Sequence, residues 1–583
     1  MVGCMFWFMT NSSFLPRISG DSYVYITEKS VQDTRGTAAQ RTEGLNCAGE
    51  FQSVRGLSAK SYHTPSGTGR KIEMGERMTH RDDMARNIVH SFPMKKLAIG
   101  TAKRVVKALA FGTVGALTVL LLVAVMYLND QPDLKVWHEV RFENEFERSL
   151  KLKTFQEYLV LEDRLFEELE REVLDKLEPE DQFDLNRYHR GSLSDPERWP
   201  TNWNRTFVWD ADKPVAGVLL LHGMSDSPYS LRTIGKAFHD QGATVIGLRI
   251  PGHGTAPSGL VTVKWEDMAA AVRLAMAYLL EQVEEAPIYI VGYSNGGALA
   301  VEYGLSAMWD KELPEIEGVI LVSPAIGVSP MAALAVWQGR LGWLLGLRKL
   351  AWSSVLIEYD PFKYNSFAVN AGDQVHRLTG EIRERMRGAE NRRDGRPFPR
   401  LLALQSAADA TVSTKSLVQA LFDGNPERNH ELVIFGINRM AGVEPLLAND
   451  PAAVLGPMLK NTEQPFDLSW VTNENPESRA VEVRSRATGR EEVKIEALGK
   501  EWPDEVFSLS HVALPFRGDD PLYGGDQPEE SPGIQLGNTA SRGERGLLRV
   551  SGDDMLRLRW NPFYDYLEER VLKFTGFSEK RKN

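Results

Sequence analysis

Five short aliphatic runs, at residues 215–221, 243–250, 288–292, 318–322 and 401–405, limit what this chain can fold into. They are nearly continuous rather than alternating, as in parallel strands buried on both faces. Helix-forming stretches lie between them, for example at 265–282 and 296–309. Such alternation points to an α/β fold with a doubly wound, mostly parallel sheet. A chain of 583 residues has room for that domain and more besides. Two longer stretches break the alternation. Residues 325–399 hold Met331, Leu334, Trp337, Leu341, Trp343 and Trp352, and 440–504 has strand-like pieces such as 480–486.

The third run leads straight into Gly292-Tyr293-Ser294-Asn295-Gly296-Gly297. G-x-S-x-G is a weak pattern alone in a glycine-rich chain. Its setting is specific, because Ile288-Tyr289-Ile290-Val291 precedes it and the helix former Ala298-Leu299-Ala300-Val301 follows. A serine at the tip of a strand-to-helix turn is a nucleophile elbow, in which small neighbours permit the turn and expose the hydroxyl. The bland alternative is an ordinary glycine-rich turn.

A serine hydroxyl needs a base to take its proton. An α/β-hydrolase, whose elbow this turn resembles, would supply an acid and then a histidine in that chain order. Asp409 lies just past the 401–405 run, on the sheet edge that carries Ser294. The alternative reading is a cap of the next helix, with Asp423 as the fallback acid. Only His430 and His511 follow Asp409. His430 begins a strand-like run, 431–435, whereas His511 ends the short apolar segment Val506-Phe507-Ser508-Leu509-Ser510. A base must sit at the C-terminal edge of the strands, which favours His511. The negative oxygen of a tetrahedral intermediate needs backbone N–H donors. Asn295, after the nucleophile, and Met224, in Leu221-His222-Gly223-Met224, are the candidates. His222 is read as structural.

Together with Pro251-Gly252-His253-Gly254, these motifs resemble the α/β-hydrolase superfamily, in its monoacylglycerol-lipase, carboxylesterase and lysophospholipase-like branch. The resemblance covers roughly 200–435 and 505–575 and implies a Ser294–Asp409–His511 triad with no metal and no organic cofactor. It also implies that 325–399 is a helical cap whose tryptophans and leucines line an acyl site or form the cap's own core. The departure is the stretch of about 70 residues before His511. Either 440–504 is an insertion, or the last sheet strand is 505–509.

Residues 108–128 carry no charge, and about 20 apolar residues cross a bilayer. A signal-anchor spanning helix over 94–130 is expected, with a buried core helix or a cleaved signal peptide as alternatives. Lys95, Lys96, Lys103, Arg104 and Lys107 precede the run, which places the N-terminus in the cytoplasm and the catalytic domain outside it. Residues 1–93, rich in Ser, Thr, Gly and Arg, read as a disordered tail or as preceding a true start at Met94. Residues 131–200 read as a helical stalk or linker, or as a helix packed on the domain, with a capping box at Thr154 and Glu157, an apolar stripe at helical spacing, and Glu162, Asp163, Glu167, Glu170 and Glu172 on the other face. The hydrolase domain then occupies 201–583.

Composition narrows the function classes. Lys and Arg number 68 against 79 Asp and Glu, so nothing suggests a nucleic-acid partner. The two cysteines, Cys4 and Cys47, leave the main body without a thiol nucleophile, a disulfide or a Cys-ligated metal. The expected function is a serine esterase or lipase acting on a small-molecule or lipid ester, held to the membrane through 108–128. A peptidase or amidase of the same fold and a non-catalytic binding protein are the alternatives.

Overall fold

The computed structural model describes residues 94–326, 347–390, 395–409, 414–422, 429–442, 445, 447, 450–504, 506–526, 531–537 and 559–577. The expectations for 1–93, for Asp423 and for the 327–346 part of the cap fall outside these residues.

A sheet of ten strands organises the domain. Its strands are β1 (Phe207–Trp209), β2 (Gly217–Leu221), β3 (Thr244–Leu248), β4 (Ile288–Tyr293) and β5 (Gly318–Val322), then β6 (Arg400–Ser406), β7 (His430–Phe435), β8 (Phe466–Asn473), β9 (Ala480–Arg486) and β10 (Lys494–Glu501). Their spatial order is β1-β3-β2-β4-β5-β6-β7-β8-β9-β10. From β3 through β8 every pairing is parallel, while β1 and the β8–β9–β10 meander pair antiparallel.

Successive residues of one strand point to opposite faces, and both faces are covered. Leu219, Leu221, Ile290, Val319, Leu321, Leu401 and Ala403 pack into one core with the helices α4 (Trp265–Val283), α5 (Asn295–Trp309) and α7 (Thr414–Leu421). Val218, Leu220, Val291, Ile320, Leu402 and Leu404 pack into the other. There they meet α3 (Arg232–His239) and the C-terminal α9 (Tyr564–Phe574). This double burial explains why the five runs are aliphatic throughout.

The described part of 440–504 joins the sheet rather than standing apart from it. After helix α8 (Ala452–Lys460) it returns as β8, which runs parallel to β7, and β9 and β10 extend the sheet outward. The described residues 506–509 do not form a full sheet strand. They contribute a single bridge, Ser508 to Ile437. In the expected cap, Trp352–Ser354 and Phe367–Ala368 form a two-stranded hairpin that leads into α6 (Val369–Glu390).

Of the two readings of 131–200, stalk or packed helix, the described residues show the packed one. In α2 (Phe155–Glu172) the Thr154 hydroxyl accepts from Glu157 N and the Glu157 carboxylate accepts from Thr154 N, which forms the capping box. Phe155, Tyr158, Leu165 and Phe166 are buried, and Tyr158 donates to the Arg249 carbonyl at 2.6 Å. Arg249, only 1% exposed, meets Glu162 at 3.0 Å and Glu145 at 3.2 Å. Helix α2 is thereby fastened to the turn after β3.

Residues Met94–Asp130 form one helix, α1. Among the described residues no helix is long and apolar enough to cross a membrane. The spanning segment expected at 108–128 therefore gains no support from them. A span needs an unbroken apolar length, and the side chains at 117, 120–121, 124 and 127–128 lie outside the described residues.

Candidate active site

Strand β4 delivers Ser294 to the N-terminus of α5 in a strained backbone conformation, φ 53° and ψ −115°. Non-glycine residues rarely adopt positive φ, and such strain concentrates at functional turns. Neighbouring glycines permit it. A Cβ on Gly292 would lie 2.5 Å from the Gly296 carbonyl oxygen, and one on Gly296 would lie 2.0 Å from the Leu221 oxygen. Only glycine fits either position. Ser294 N donates to Val322 O and its carbonyl accepts from Ala325 N, so the β5 end also holds the turn. Ser294 is half-buried while its neighbours are buried.

Asp409 follows the end of β6, where its N–H donates to Ser406 O at 3.2 Å. The segment before His511 is fixed from two sides. Asn438, just beyond β7, donates from its backbone to Phe507 O and from its side chain to Val506 O. The Ser406 hydroxyl donates to Leu509 O at 2.8 Å. These bonds carry His511 across to the C-terminal edge of the strands, where its Nδ1 lies 2.8 Å from Asp409 Oδ2 and its Nε2 3.0 Å from Ser294 Oγ. The Asp409 side chain is fully buried, and the His511 side chain is 9% exposed.

The sequence-derived residues Ser294, Asp409 and His511 thus meet in one hydrogen-bonded chain. His430 does not join them. It sits at the opposite edge of the sheet, where its Nδ1 accepts from Leu401 N at 3.1 Å. Burial pushes its imidazole down to about 4. His222 is structural, as expected from the sequence. Its Nε2 accepts from Ile250 N at 3.0 Å, so the proton is on Nδ1, which donates to Gly223 O at 2.8 Å. Burial holds it well below the usual imidazole range, and nearby His253 adds to that effect. His222 therefore joins the loop after β2 to the turn after β3 as a neutral ring.

That loop runs beside the nucleophile. A Cβ on Gly223 would come within 3.3 Å of the Ser294 Cβ. Met224 follows directly, so both candidate oxyanion donors, Met224 N and Asn295 N, belong to backbone next to the serine. Ser225 also has positive φ, 63°, and its carbonyl accepts from Tyr364 N at 2.7 Å. Sequence patterns do not reveal this clamp, because its two halves are 139 positions apart. Among the described residues no group of His, Cys, Asp and Glu is arranged to hold a metal.

Asp226, in the same loop, is 4% exposed. Burial pushes its carboxyl up from 3.8 to about 6, against the pull of Lys363 and the Ser227 N–H. Between those values the folded protein keeps a proton that the unfolded chain has released. Stability is accordingly lost as pH rises through about 6. Asp226→Asn is expected to stabilise the fold at pH 8 by about 1–3 kcal/mol in urea unfolding, with the gain vanishing toward pH 4. An equal gain at both pH values would show that ionisation is not its origin.

Residues 212–436 match the family described as serine aminopeptidase, S33. The thermostable monoacylglycerol lipase of Bacillus sp. (strain H-257) is 28% identical over 131 residues, which covers 22% of this chain and 49% of that enzyme. Phospholipase YtpA of Bacillus subtilis (strain 168) is 27% identical over 129 residues, covering 21% and 45%. The chain thus spans about half the length of the curated relatives it matches. Among solved structures, the monoacylglycerol lipase of Paleococcus ferrophilus aligns over 40% of this chain and 89% of its own, at 19% identity and a TM-score of 0.30. By its sheet, its elbow and the family match over 212–436, the chain has the α/β-hydrolase fold and resembles the monoacylglycerol-lipase, carboxylesterase and lysophospholipase-like branch of that superfamily.

Proposed function

We propose that this protein is a serine hydrolase that cleaves carboxylic esters, with Ser294 as nucleophile, His511 as base and Asp409 as the acid that orients the imidazole. The observation that carries the reading is the chain from Asp409 through both nitrogens of His511 to Ser294 Oγ, at 2.8 and 3.0 Å. His511 Nε2 takes the serine proton as Oγ attacks the ester carbonyl, then returns it to the leaving alcohol. An acyl-enzyme remains, and a water activated by the same nitrogen hydrolyses it. Asp409 holds the proton on Nδ1 and stabilises the imidazolium. Met224 N and Asn295 N donate to the developing oxyanion, a kind of contact worth about 10²–10³ in kcat each.

A lipid-like ester is the preferred substrate, on the strength of relatives named as a monoacylglycerol lipase and a phospholipase. The uncharged 108–128 run supports attachment to a membrane, with Leu109, Phe111 and Met126 exposed on α1. The lysines before the run support a domain outside the cytoplasm. A reporter fused after residue 583 that works only in the cytoplasm would reverse that orientation.

The test of the chemistry is a fluorophosphonate probe. Wild-type protein is expected to be labelled and Ser294→Ala is not, and p-nitrophenyl esters of increasing chain length are expected to turn over faster than matched amides. The matched family's description, serine aminopeptidase, favours a peptidase as the second reading. Faster cleavage of amides would select it. Wild-type protein that resists the probe would instead select a binding protein built on a hydrolase fold.

A further inference from the structure

The chain turns sharply after His511 and buries Asp520, whose side chain is 1% exposed. One of its oxygens, Oδ1, accepts from the Tyr229 hydroxyl at 2.9 Å, Leu522 N at 3.0 Å and Tyr523 N at 2.8 Å. The other, Oδ2, accepts from Arg232 Nη2 at 2.9 Å. Tyr229 and Arg232 stand directly after the 223–227 loop, at the start of α3. The Arg232 guanidinium lies 3.6 Å above the Tyr229 ring, so the two donors form one unit.

A second connection leaves from the same turn. The Tyr523 hydroxyl donates to Asp360 Oδ2 at 2.5 Å, in the segment that leads back to the Trp352–Ser354 hairpin. From that segment Tyr364 N reaches Ser225 O, and the Tyr364 hydroxyl accepts from Thr255 N at 2.8 Å. The three connections close a ring. The histidine-bearing turn holds the start of α3 and the 358–366 segment, and that segment holds the 223–227 loop. Trp199, Tyr229, Phe362, Phe516 and Tyr523 fill its centre as one aromatic cluster.

We propose that Asp520 is a positioning residue that fixes the His511-bearing turn in register with the loop carrying the Met224 N–H. This rests on the serine-hydrolase reading, and adds a residue that the Ser–His–Asp chain does not include. Asp520 touches neither substrate nor the reacting atoms. Its effect comes from geometry, because the base and the oxyanion donor sit on different loops and must be correct together. Misplacement of a catalytic group by about 1 Å costs roughly 10²-fold.

The test is steady-state ester kinetics on the full chain, with every rate divided by sites titrated with a fluorophosphonate. Asp520→Ala is expected to lower kcat per titrated site by about 10–100-fold and leave KM within about twofold. Asp520→Asn keeps an oxygen for Tyr229 and the two backbone donors, so its loss is expected to be smaller. Tyr229→Phe removes one hydrogen bond from the 223–232 side without unpairing a charge, and is expected to lower kcat per site while folding normally. A residue that only supports folding would reduce the number of titrated sites and leave kcat per site unchanged. That result in both Tyr229→Phe and Asp520→Asn overturns the positioning role and leaves the hydrolase reading intact. Wild-type protein with neither titratable sites nor ester turnover overturns both.

Discussion

His511→Ala is expected to lower ester turnover per folded molecule by about 10⁴-fold or more, with the circular dichroism spectrum preserved. The imidazole makes the contact with Ser294 Oγ at 3.0 Å. Without it the hydroxyl has to lose its proton to water, and the attacking oxygen remains a weak nucleophile. What remains is the contribution of backbone donors and substrate binding. His430→Asn serves as the control, because His430 bonds Leu401 N at the other edge of the sheet. It is expected to reduce stability and leave turnover per folded molecule within a few-fold of wild type. The reverse outcome, with His511→Ala active and His430→Asn dead, would transfer the role of base to His430.

Arg249→Ala should destabilise the fold by about 3–5 kcal/mol in urea unfolding. The estimate follows from what is left behind. Glu162 is 4% exposed and would keep its acceptor bonds to Thr206 N and Oγ1 while losing its only guanidinium partner among the described ion pairs. A buried carboxylate without a countercharge is costly, whereas replacing both partners with apolar groups is much less so. Arg249→Met combined with Glu162→Leu is therefore expected to recover a large part of the loss. A single-variant loss below about 1 kcal/mol would mean that the pair is effectively solvated. Hydrogen exchange in α2 should rise first, because Glu162 and Tyr158 are on that helix.

The central sheet and the elbow were readable in the sequence because local rules govern them. Strands buried on both faces must be aliphatic, and β2 through β6 obey this. Gly292 and Gly296 are glycine because carbonyl oxygens come too close for any Cβ, which leaves a visible pattern. Asp409 and His511 could be picked out from chain order and sheet edge.

The rest depended on partners distant in sequence. Strand β8 reads Phe-Asp-Leu-Ser-Trp-Val-Thr-Asn, an alternating pattern rather than the continuous apolar run of the other parallel strands, so it did not stand out beside them. It is parallel to β7 on one side and antiparallel to β9 on the other, a role set by its neighbours. Local spacing in 131–200 left both a stalk and a packed helix open, with acidic residues such as Glu162 on the face away from the apolar stripe. Glu162 instead meets Arg249, 87 positions away, and Glu168 accepts from the backbone of Glu143 and Asn144. The Asp520 ring was hidden for the same reason, since its members come from three separate stretches of chain, 223–232, 358–366 and 511–523.

The excursion through β8, β9 and β10 has a kinetic consequence. Asp409 and His511 are 102 positions apart, and His511 is held in place by Asn438 and Ser406, on strand ends that must exist beforehand. Closing so long a loop is entropically costly and yields contacts only once the receiving surface is built. On refolding from urea, far-ultraviolet dichroism and tryptophan fluorescence should therefore recover before ester turnover does. The last step would be the arrival of one histidine on a sheet that has already formed. Simultaneous recovery of all three signals would instead mean that the meander and the central strands assemble in a single cooperative event.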